Sequence, residues 1–206
     1  MLAAIAQASG LDYAQTLTGF KWISRLPNLR FGYEEALGYC VDPEHVRDKD
    51  GITAGLLIAE LANSLQEQGR TLQDVLDELD RAHGVHATDQ VSVRLGSPGL
   101  IAQVMAHVRA HPPATVGGLP VERIDDLELG IDGLPPTDGL RIMLARGGRV
   151  IVRPSGTEPK VKCYLQVIEP VDVAAGGTLE GARQSARSQL DALKADVRSW
   201  LVAQPG

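Results

Sequence analysis

The spacing of apolar residues changes near Val85, and this change constrains the fold more than any other feature of the 206-residue sequence. Before that point, apart from a short strand expected at 29–33, apolar side chains recur with helical spacing and predict helices over 1–9, 52–68 and 72–83. After it, they alternate with polar ones, which is typical of strands, at 91–95, 140–144, 149–152 and 161–167. We therefore predict an α/β region over residues 1–84, and an α+β region over 85–206 with an antiparallel sheet covered by helices.

Capping residues define where several of these helices begin. Asp48 or Asp50 is expected to cap the helix over 52–68, and Thr71 with Asp74 resembles a capping box for the next helix. Ser97 and Pro98 together are a third start signal, and Thr178 precedes a long closing helix. Leucines, isoleucine and alanine wrap much of the helix over 52–68, so we expect that helix to be well buried.

Composition limits the classes of protein to which the chain can belong. The formal net charge is −6 and only 4% of residues are aromatic, which argues against nucleic-acid binding because that needs a basic surface and stacking side chains. Cys40 and Cys163 match no metal or redox spacing, so we expect both to be free thiols. No apolar run reaches membrane-spanning length and no signal peptide is present, so we expect a cytoplasmic protein without a membrane partner.

Two of the predicted strands are separated by Arg153-Pro154-Ser155-Gly156-Thr157-Glu158-Pro159-Lys160. Its arginine offers a planar fork that suits phosphate or carboxylate, its lysine adds a point charge, and its hydroxyls and amides are neutral donors. Glycine allows the backbone to approach a ligand, and the prolines stiffen the turn. This segment, the 153–160 loop, is therefore predicted to bind a small anion.

Two further groups of polar residues stand between apolar ones in the first region. Lys21 follows a glycine and a phenylalanine, although a lone lysine is more often simply exposed. Glu34 and Glu35 are adjacent in or after a short strand, where neighbouring side chains point to opposite sides, so at most one of them can face a given pocket. Binding of sugar hydroxyls and ion pairing at the surface are equally good interpretations of the two glutamates.

Four motifs together resemble the C-terminal half of the phosphoglucomutase/phosphomannomutase family. The resemblance spans nearly the whole chain and is most specific in the 153–160 loop. The other three motifs are Thr18-Gly19-Phe20-Lys21-Trp22, Phe31-Gly32-Tyr33-Glu34-Glu35-Ala36-Leu37-Gly38-Tyr39 and Arg47-Asp48-Lys49-Asp50-Gly51.

The resemblance implies an incomplete third α/β mutase domain over 1–84 and a C-terminal phosphate-binding domain over 85–206, whose fold is similar to that of the TATA-binding protein. It also implies an isomerase that moves a phosphoryl group between the 1- and 6-positions of a hexose through a hexose 1,6-bisphosphate. The implied phosphate-binding residues are Arg153, Ser155, Gly156, Thr157 and Lys160. The implied sugar-binding residues are Lys21, Glu34 and Glu35.

The sequence departs from the family pattern in two ways. Ala36 stands where many members have a serine, which resembles the branch of type-2 phosphoglucomutases, phosphopentomutases and some bacterial phosphomannomutases. The phosphoserine motif Ser-His-Asn-Pro and the Asp-Gly-Asp type of magnesium loop are absent from the sequence. We therefore expect no catalytic or metal-binding residue in this chain, and we expect Mg²⁺ and the N-terminal domains of the same enzyme to be needed for activity. The alternatives are a stand-alone phosphosugar-binding module and part of a phosphopentomutase.

Overall fold

A computed structural model describes residues 1–34, 37–95, 97–156, 158–172, 174 and 176–202. The chain divides into two compact units, Leu2–Glu78, and Met1 with Leu79–Gly206. Within the described residues, no helix is both long and apolar enough to cross a bilayer.

Within its described residues, the first unit contains four helices and one β-hairpin. The helices are α1 (Leu2–Ala8), α2 (Phe20–Ile23), α3 (Gly51–Glu67) and α4 (Leu72–His83, whose end extends beyond the unit), and the strands are β1 (Gly32–Glu34) and β2 (Gly38–Cys40). The two strands pair in antiparallel register, with Gly32 opposite Cys40. Strand β1 thus begins three residues later than the predicted strand at 29–33 and includes Glu34. A small core of Phe20, Ile23 and Cys40 joins α2 to this hairpin.

The predicted helix starts are confirmed. The Asp50 carboxylate accepts hydrogen bonds from the amides of Ile52 at 2.9 Å and Thr53 at 3.3 Å. At α4, the Asp74 carboxylate accepts from the Thr71 amide at 2.7 Å, and the Thr71 hydroxyl accepts from the Asp74 amide at 3.2 Å. These bonds satisfy amides that a helix leaves without a partner in its first turn.

The prediction that α3 is well buried is wrong. Ile52 is 79% exposed and Leu56 is 67% exposed, and Leu57, Ile58 and Leu61 are exposed as well, whereas Leu65 is buried. A helix that is apolar over most of its circumference needs cover on several sides, and the described residues of this unit provide only short helices and a two-stranded hairpin. The apolar stripe of α3, defined by Ile52, Leu56, Leu57, Ile58 and Leu61, therefore faces solvent.

As far as the structure describes it, the second unit is a six-stranded antiparallel sheet with two long helices. The strands are β3 (Val85–Arg94), β4 (Thr115–Val116), β5 (Leu119–Asp126), β6 (Leu140–Leu144), β7 (Arg149–Pro154) and β8 (Lys160–Glu169). Helix α5 (Pro98–Ala110) follows β3, and α6 (Leu179–Val202) closes the chain. The spatial order is β3-β8-β7-β6-β5-β4, so the first strand of the unit pairs with the last. The α+β architecture predicted for this region is confirmed, while the domain boundary at 84/85 stays a prediction.

Alternation along the strands separates the core face of the sheet from its polar face. On β8, Val161, Cys163, Leu165 and Val167 are buried, and the lysines and tyrosine between them are partly exposed. The buried side chains belong to one core with residues of α5 and α6, among them Met105, Val108, Leu193 and Val197. Because antiparallel partners share a face, the arginines opposite the β8 lysines lie on the polar face.

Candidate functional site

The 153–160 loop joins two neighbouring strands of the sheet and is closed by backbone hydrogen bonds. Arg153 pairs with Lys162, and Pro154 with Val161, in the β7–β8 register. The Ser155 amide donates to the Lys160 carbonyl at 2.9 Å, and the Lys160 amide donates to the Glu158 carbonyl at 2.7 Å. The rigid sheet therefore holds both ends of the loop, which is a common way to position binding groups. Thr157, a predicted phosphate ligand, lies outside the described residues.

Arg153 has a buried donor for which the described residues offer no acceptor. Its guanidinium carbon lies 5.8 Å from the centroid of the Tyr164 ring, within the range of a cation–π contact. Its Nε is buried and has no hydrogen-bond partner among the described residues. An unsatisfied buried donor costs about 1–3 kcal/mol. A ligand that offers an acceptor to this Nε would therefore gain more binding free energy than one that binds an exposed arginine.

Lys160 and Glu158 form an ion pair inside the loop. The Lys160 side chain is 19% exposed and its ammonium contacts the Glu158 carboxylate, which is 42% exposed. The hydrogen bond from Lys160, followed by the charges of Lys160, Arg94 and Lys162, holds the pKa of Glu158 below its usual range. Glu158 is therefore ionised at neutral pH, and the loop carries one carboxylate among its cations.

Ser155 and Gly156 form the outer part of the loop. Ser155 is partly exposed and Gly156 is exposed. A methyl group added at Gly156 would meet no atom within 4 Å, so the space next to its Cα is open. A ligand can therefore approach the backbone here, which agrees with the role predicted for both residues but does not test it.

The predicted sugar-binding residues lie in the first unit, on two elements that contact each other. Lys21 is exposed on α2, with its Nζ 5.4 Å from the centroid of the Trp22 ring. Glu34 is partly exposed and is the last residue of β1. Strand β1 is close to α2, since a methyl group added at Gly32 would lie 2.6 Å from the Ile23 side chain. Lys21 and Glu34 thus belong to one small substructure, while Glu35 lies outside the described residues.

Two side chains beside the 153–160 loop were not identified from the sequence. Arg94 is the last residue of β3 and lies opposite Lys160, and its Nη2 is 3.3 Å from the Glu158 Oε1. Tyr164 follows Lys160 and Lys162 on the polar face of β8 and contacts Arg153. The alternation of residues indicated that each belongs to a strand, but which strands pair, and in which register, is a long-range property.

A structural comparison identifies the fold. A phosphoglucomutase of Paramecium (pp63/parafusin, open form) matches 97% of this chain and 36% of its own, with a TM-score of 0.65 and 18% sequence identity. The likeness covers the fold, an α/β region followed by an antiparallel sheet with helices, and shows that the fold is that of phosphoglucomutases.

Sequence comparisons give the family. The profile for the phosphoglucomutase/phosphomannomutase α/β/α domain III matches residues 1–82, and the profile for the C-terminal domain matches residues 42–175. The chain belongs to the phosphoglucomutase/phosphomannomutase family, as its motifs predicted. The predicted fold class is likewise confirmed.

Curated relatives carry the names of three kinds of mutase. A probable phosphomannomutase of Haemophilus influenzae is 44% identical over 164 residues, which are 80% of this chain and 33% of that protein. A Staphylococcus aureus phosphoglucomutase is 33% identical over 79% of this chain and 33% of its own length. A Mus musculus phosphopentomutase is 30% identical over 82% of this chain and 31% of its own length. This chain thus spans about a third of the length of the curated relatives it matches.

Proposed function

We propose that this chain is the substrate-recognition part of a phosphohexomutase, and that its 153–160 loop binds the phosphate group of a hexose phosphate. The observation that carries the proposal is the buried Nε of Arg153, which lacks an acceptor among the described residues, in a loop where Lys160 supplies a second cation. A phosphate offers several acceptor oxygens and a charge that matches this pair. Lys21, Glu34 and Glu35 are the proposed contacts to the sugar.

The proposed reaction is the interconversion of hexose 1- and 6-phosphates through a hexose 1,6-bisphosphate. In that reaction this chain binds and orients the sugar phosphate, because phosphoryl transfer depends on positioning as well as on charge stabilisation. This chain matches about a third of the length of its relatives. The phosphorylated serine would come from the domains that make up the rest of that length. We therefore propose that those domains of the same enzyme are the protein partner, and that the chain alone is inactive.

Magnesium is the metal that the family resemblance implies. Among the described residues, no three His, Cys, Asp or Glu side chains are placed to hold a metal ion. The described residues therefore do not fit a magnesium site, and we propose that the ligands belong to the domains that the relatives have outside the matched third. We also propose a cytoplasmic location, a small-molecule substrate, and no nucleic-acid or membrane partner.

A phosphopentomutase is the second candidate. The Mus musculus relative has this name, and Ala36 stands at a position where many members of the family have serine. Only a few hydroxyl contacts separate a hexose from a pentose, so the preferred sugar has to be measured.

Binding of sugar phosphates to the full chain tests the proposal. Glucose 6-phosphate, mannose 6-phosphate and ribose 5-phosphate are titrated by calorimetry against wild type, Arg153→Ala and Arg187→Ala. Arg187 is a matched control, because it is 61% exposed on α6 and pairs only loosely with Glu180, at 3.9 Å. We expect Arg153→Ala to weaken hexose phosphate binding at least about tenfold, as loss of a charge-assisted hydrogen bond predicts, and Arg187→Ala to bind like wild type.

Two results would contradict the proposal. Equal affinities for the Arg153 and Arg187 variants would show that the loop does not bind the phosphate, and the absence of binding by wild type would remove the recognition role. Tighter binding of ribose 5-phosphate than of either hexose phosphate would favour the phosphopentomutase.

A further inference from the structure

Glu158 connects the 153–160 loop to a cation on β3, a strand that is distant in sequence but adjacent in the sheet. Arg94 ends β3 and is the register partner of Lys160, so both side chains lie on the polar face of the sheet. The Leu95 amide also donates to the Pro159 carbonyl at 2.8 Å, which attaches the end of β3 to the loop. Glu158 contacts both cations, with Arg94 Nη2 at 3.3 Å and Lys160 Nζ closer still.

The Arg94–Glu158 ion pair is exposed enough for the carboxylate to be exchanged for a better anion, and the Lys160–Glu158 pair is half open through its carboxylate. Arg94 is 72% exposed and Glu158 is 42% exposed. Ion pairs at this level of exposure contribute little to stability, because water and salt screen them. The carboxylate is nevertheless planar, singly charged and within contact of two donors, so it resembles part of a phosphate group in charge and in the donors that it uses.

We propose that Glu158 occupies Arg94 and Lys160 while the site is empty and is displaced from them by the phosphate dianion of the substrate. This inference rests on the proposed function of the loop. It makes Arg94 a phosphate-binding residue contributed from outside the loop, and Glu158 a determinant of specificity. Two negative charges on a phosphate monoester outcompete the single charge of Glu158, whereas a singly charged sulfate ester or phosphodiester brings no advantage over it.

Charge-neutral variants of the full chain test this inference by calorimetry. Glu158→Gln keeps the shape of the side chain and removes its charge, and Arg94→Gln removes the added cation. The matched controls are Glu180→Gln and Arg187→Gln, which make the same changes in an exposed ion pair on α6. Circular dichroism and thermal unfolding verify that each variant is folded. The probes are glucose 6-phosphate, a dianion, and glucose 6-sulfate, a monoanion.

We expect Glu158→Gln to bind glucose 6-phosphate about three- to tenfold more tightly, from the loss of one repelling charge close to the ligand. The same variant should gain measurable binding of glucose 6-sulfate. Arg94→Gln should bind glucose 6-phosphate about three- to tenfold more weakly, by the same Coulomb estimate. Both control variants should match wild type with either ligand.

The outcomes separate this inference from the proposed function. If Arg153→Ala loses phosphate binding but Glu158→Gln binds more weakly than wild type, Glu158 holds the loop in place and the displacement idea is wrong. Unchanged binding by Arg94→Gln would remove Arg94 from the site. If neither wild type nor Glu158→Gln binds glucose 6-phosphate, the proposed function fails and this inference fails with it.

Discussion

Replacing Gly117 with alanine should destabilise the second unit far more than the same change at its neighbour Gly118. Both glycines lie in the turn between β4 and β5 and have a positive φ, +57° for Gly117 and +75° for Gly118. A methyl group at Gly117 would lie 2.5 Å from Leu193 Cδ1 and 2.8 Å from the Leu193 backbone nitrogen on α6. A methyl group at Gly118 would meet no atom within 4 Å. Comparing alanine at the two positions therefore separates the cost of backbone strain, which both variants share, from the cost of close packing, which only Gly117→Ala has.

The expected magnitudes follow from these contacts. Alanine at either position has to adopt a left-handed backbone, which costs about 1–2 kcal/mol. At Gly117 the contact with a helix backbone adds an overpacking cost of about 1–3 kcal/mol. The turn cannot easily move away, because the Gly117 amide donates to Asp196 and its carbonyl accepts from Gln189, both at 2.6 Å. We expect Gly117→Ala to lower the free energy of unfolding by about 2–5 kcal/mol, and Gly118→Ala by about 1–2 kcal/mol.

Urea unfolding monitored by the fluorescence of Trp200 measures this difference in the second unit. The chain has two tryptophans, so a Trp22→Phe background leaves Trp200 on α6 as the only one. With a urea dependence of about 2 kcal/mol per molar, the midpoints of the two variants should differ by about 0.5–1.5 M at an unchanged slope. Equal midpoints for Gly117→Ala and Gly118→Ala would refute the close approach of the turn to α6.

Three further predictions concern a buried thiol and an exposed apolar surface. Burial raises the pKa of the Cys163 thiol to about 12 from its ordinary 9.0. At pH 8 this thiol should therefore react with a disulfide reagent only as urea unfolds the protein. Rapid reaction of the thiol in the native protein would contradict its burial. The pKa of Cys163 is higher in the folded state than in the unfolded state, so its contribution to the free energy of unfolding is full below pH 9 and is lost as the pH rises towards 12. The variant Cys163→Ala should therefore lose less stability over this alkaline range, as measured by urea unfolding. The apolar stripe of α3 should bind a hydrophobic dye and promote self-association, and the double change Ile52→Lys and Leu56→Lys should reduce both. Leu129→Lys is the matched control, since Leu129 is also exposed but lies outside α3. If this control lowers dye fluorescence and light scattering equally, the α3 stripe is not the cause of dye binding and self-association.

Local features were predictable from the sequence because they depend on neighbouring residues. The side chains of Asp50 and Thr71 accept hydrogen bonds from amides within three positions, so their residue types and spacing were sufficient to identify the helix starts. The β6–β7 connection is also local, because Arg146-Gly147-Gly148 turns the chain between two adjacent strands, with positive φ at Arg146 and Gly147. The composition of the 153–160 loop predicted an anion site for the same reason, since its cations and donors are consecutive in the chain.

Features that depend on distant residues were not predictable in this way. The apolar side chains of α3 predicted burial, but a helix sequence does not say what lies opposite each of its faces. The position of Arg94 beside Lys160 follows from the β3–β8 register, and alternation gives the face of a residue but not its partner strand. The buried Nε of Arg153 depends on both its strand and Tyr164, so only the structure reveals it.

The pairing of β3 with β8 also has a consequence for synthesis of the chain on the ribosome. Arg94 pairs with Lys160 and Val85 pairs with Glu169, which is made 84 residues later. At a translation rate of about 5–20 residues per second, β3 waits on the order of 4–17 s for its partner. A nascent chain that stops anywhere before residue 160 leaves β3 and the β7 edge unpaired. The second unit therefore completes its sheet only after β8 has been synthesised, and until then its unpaired strand edges are prone to aggregation.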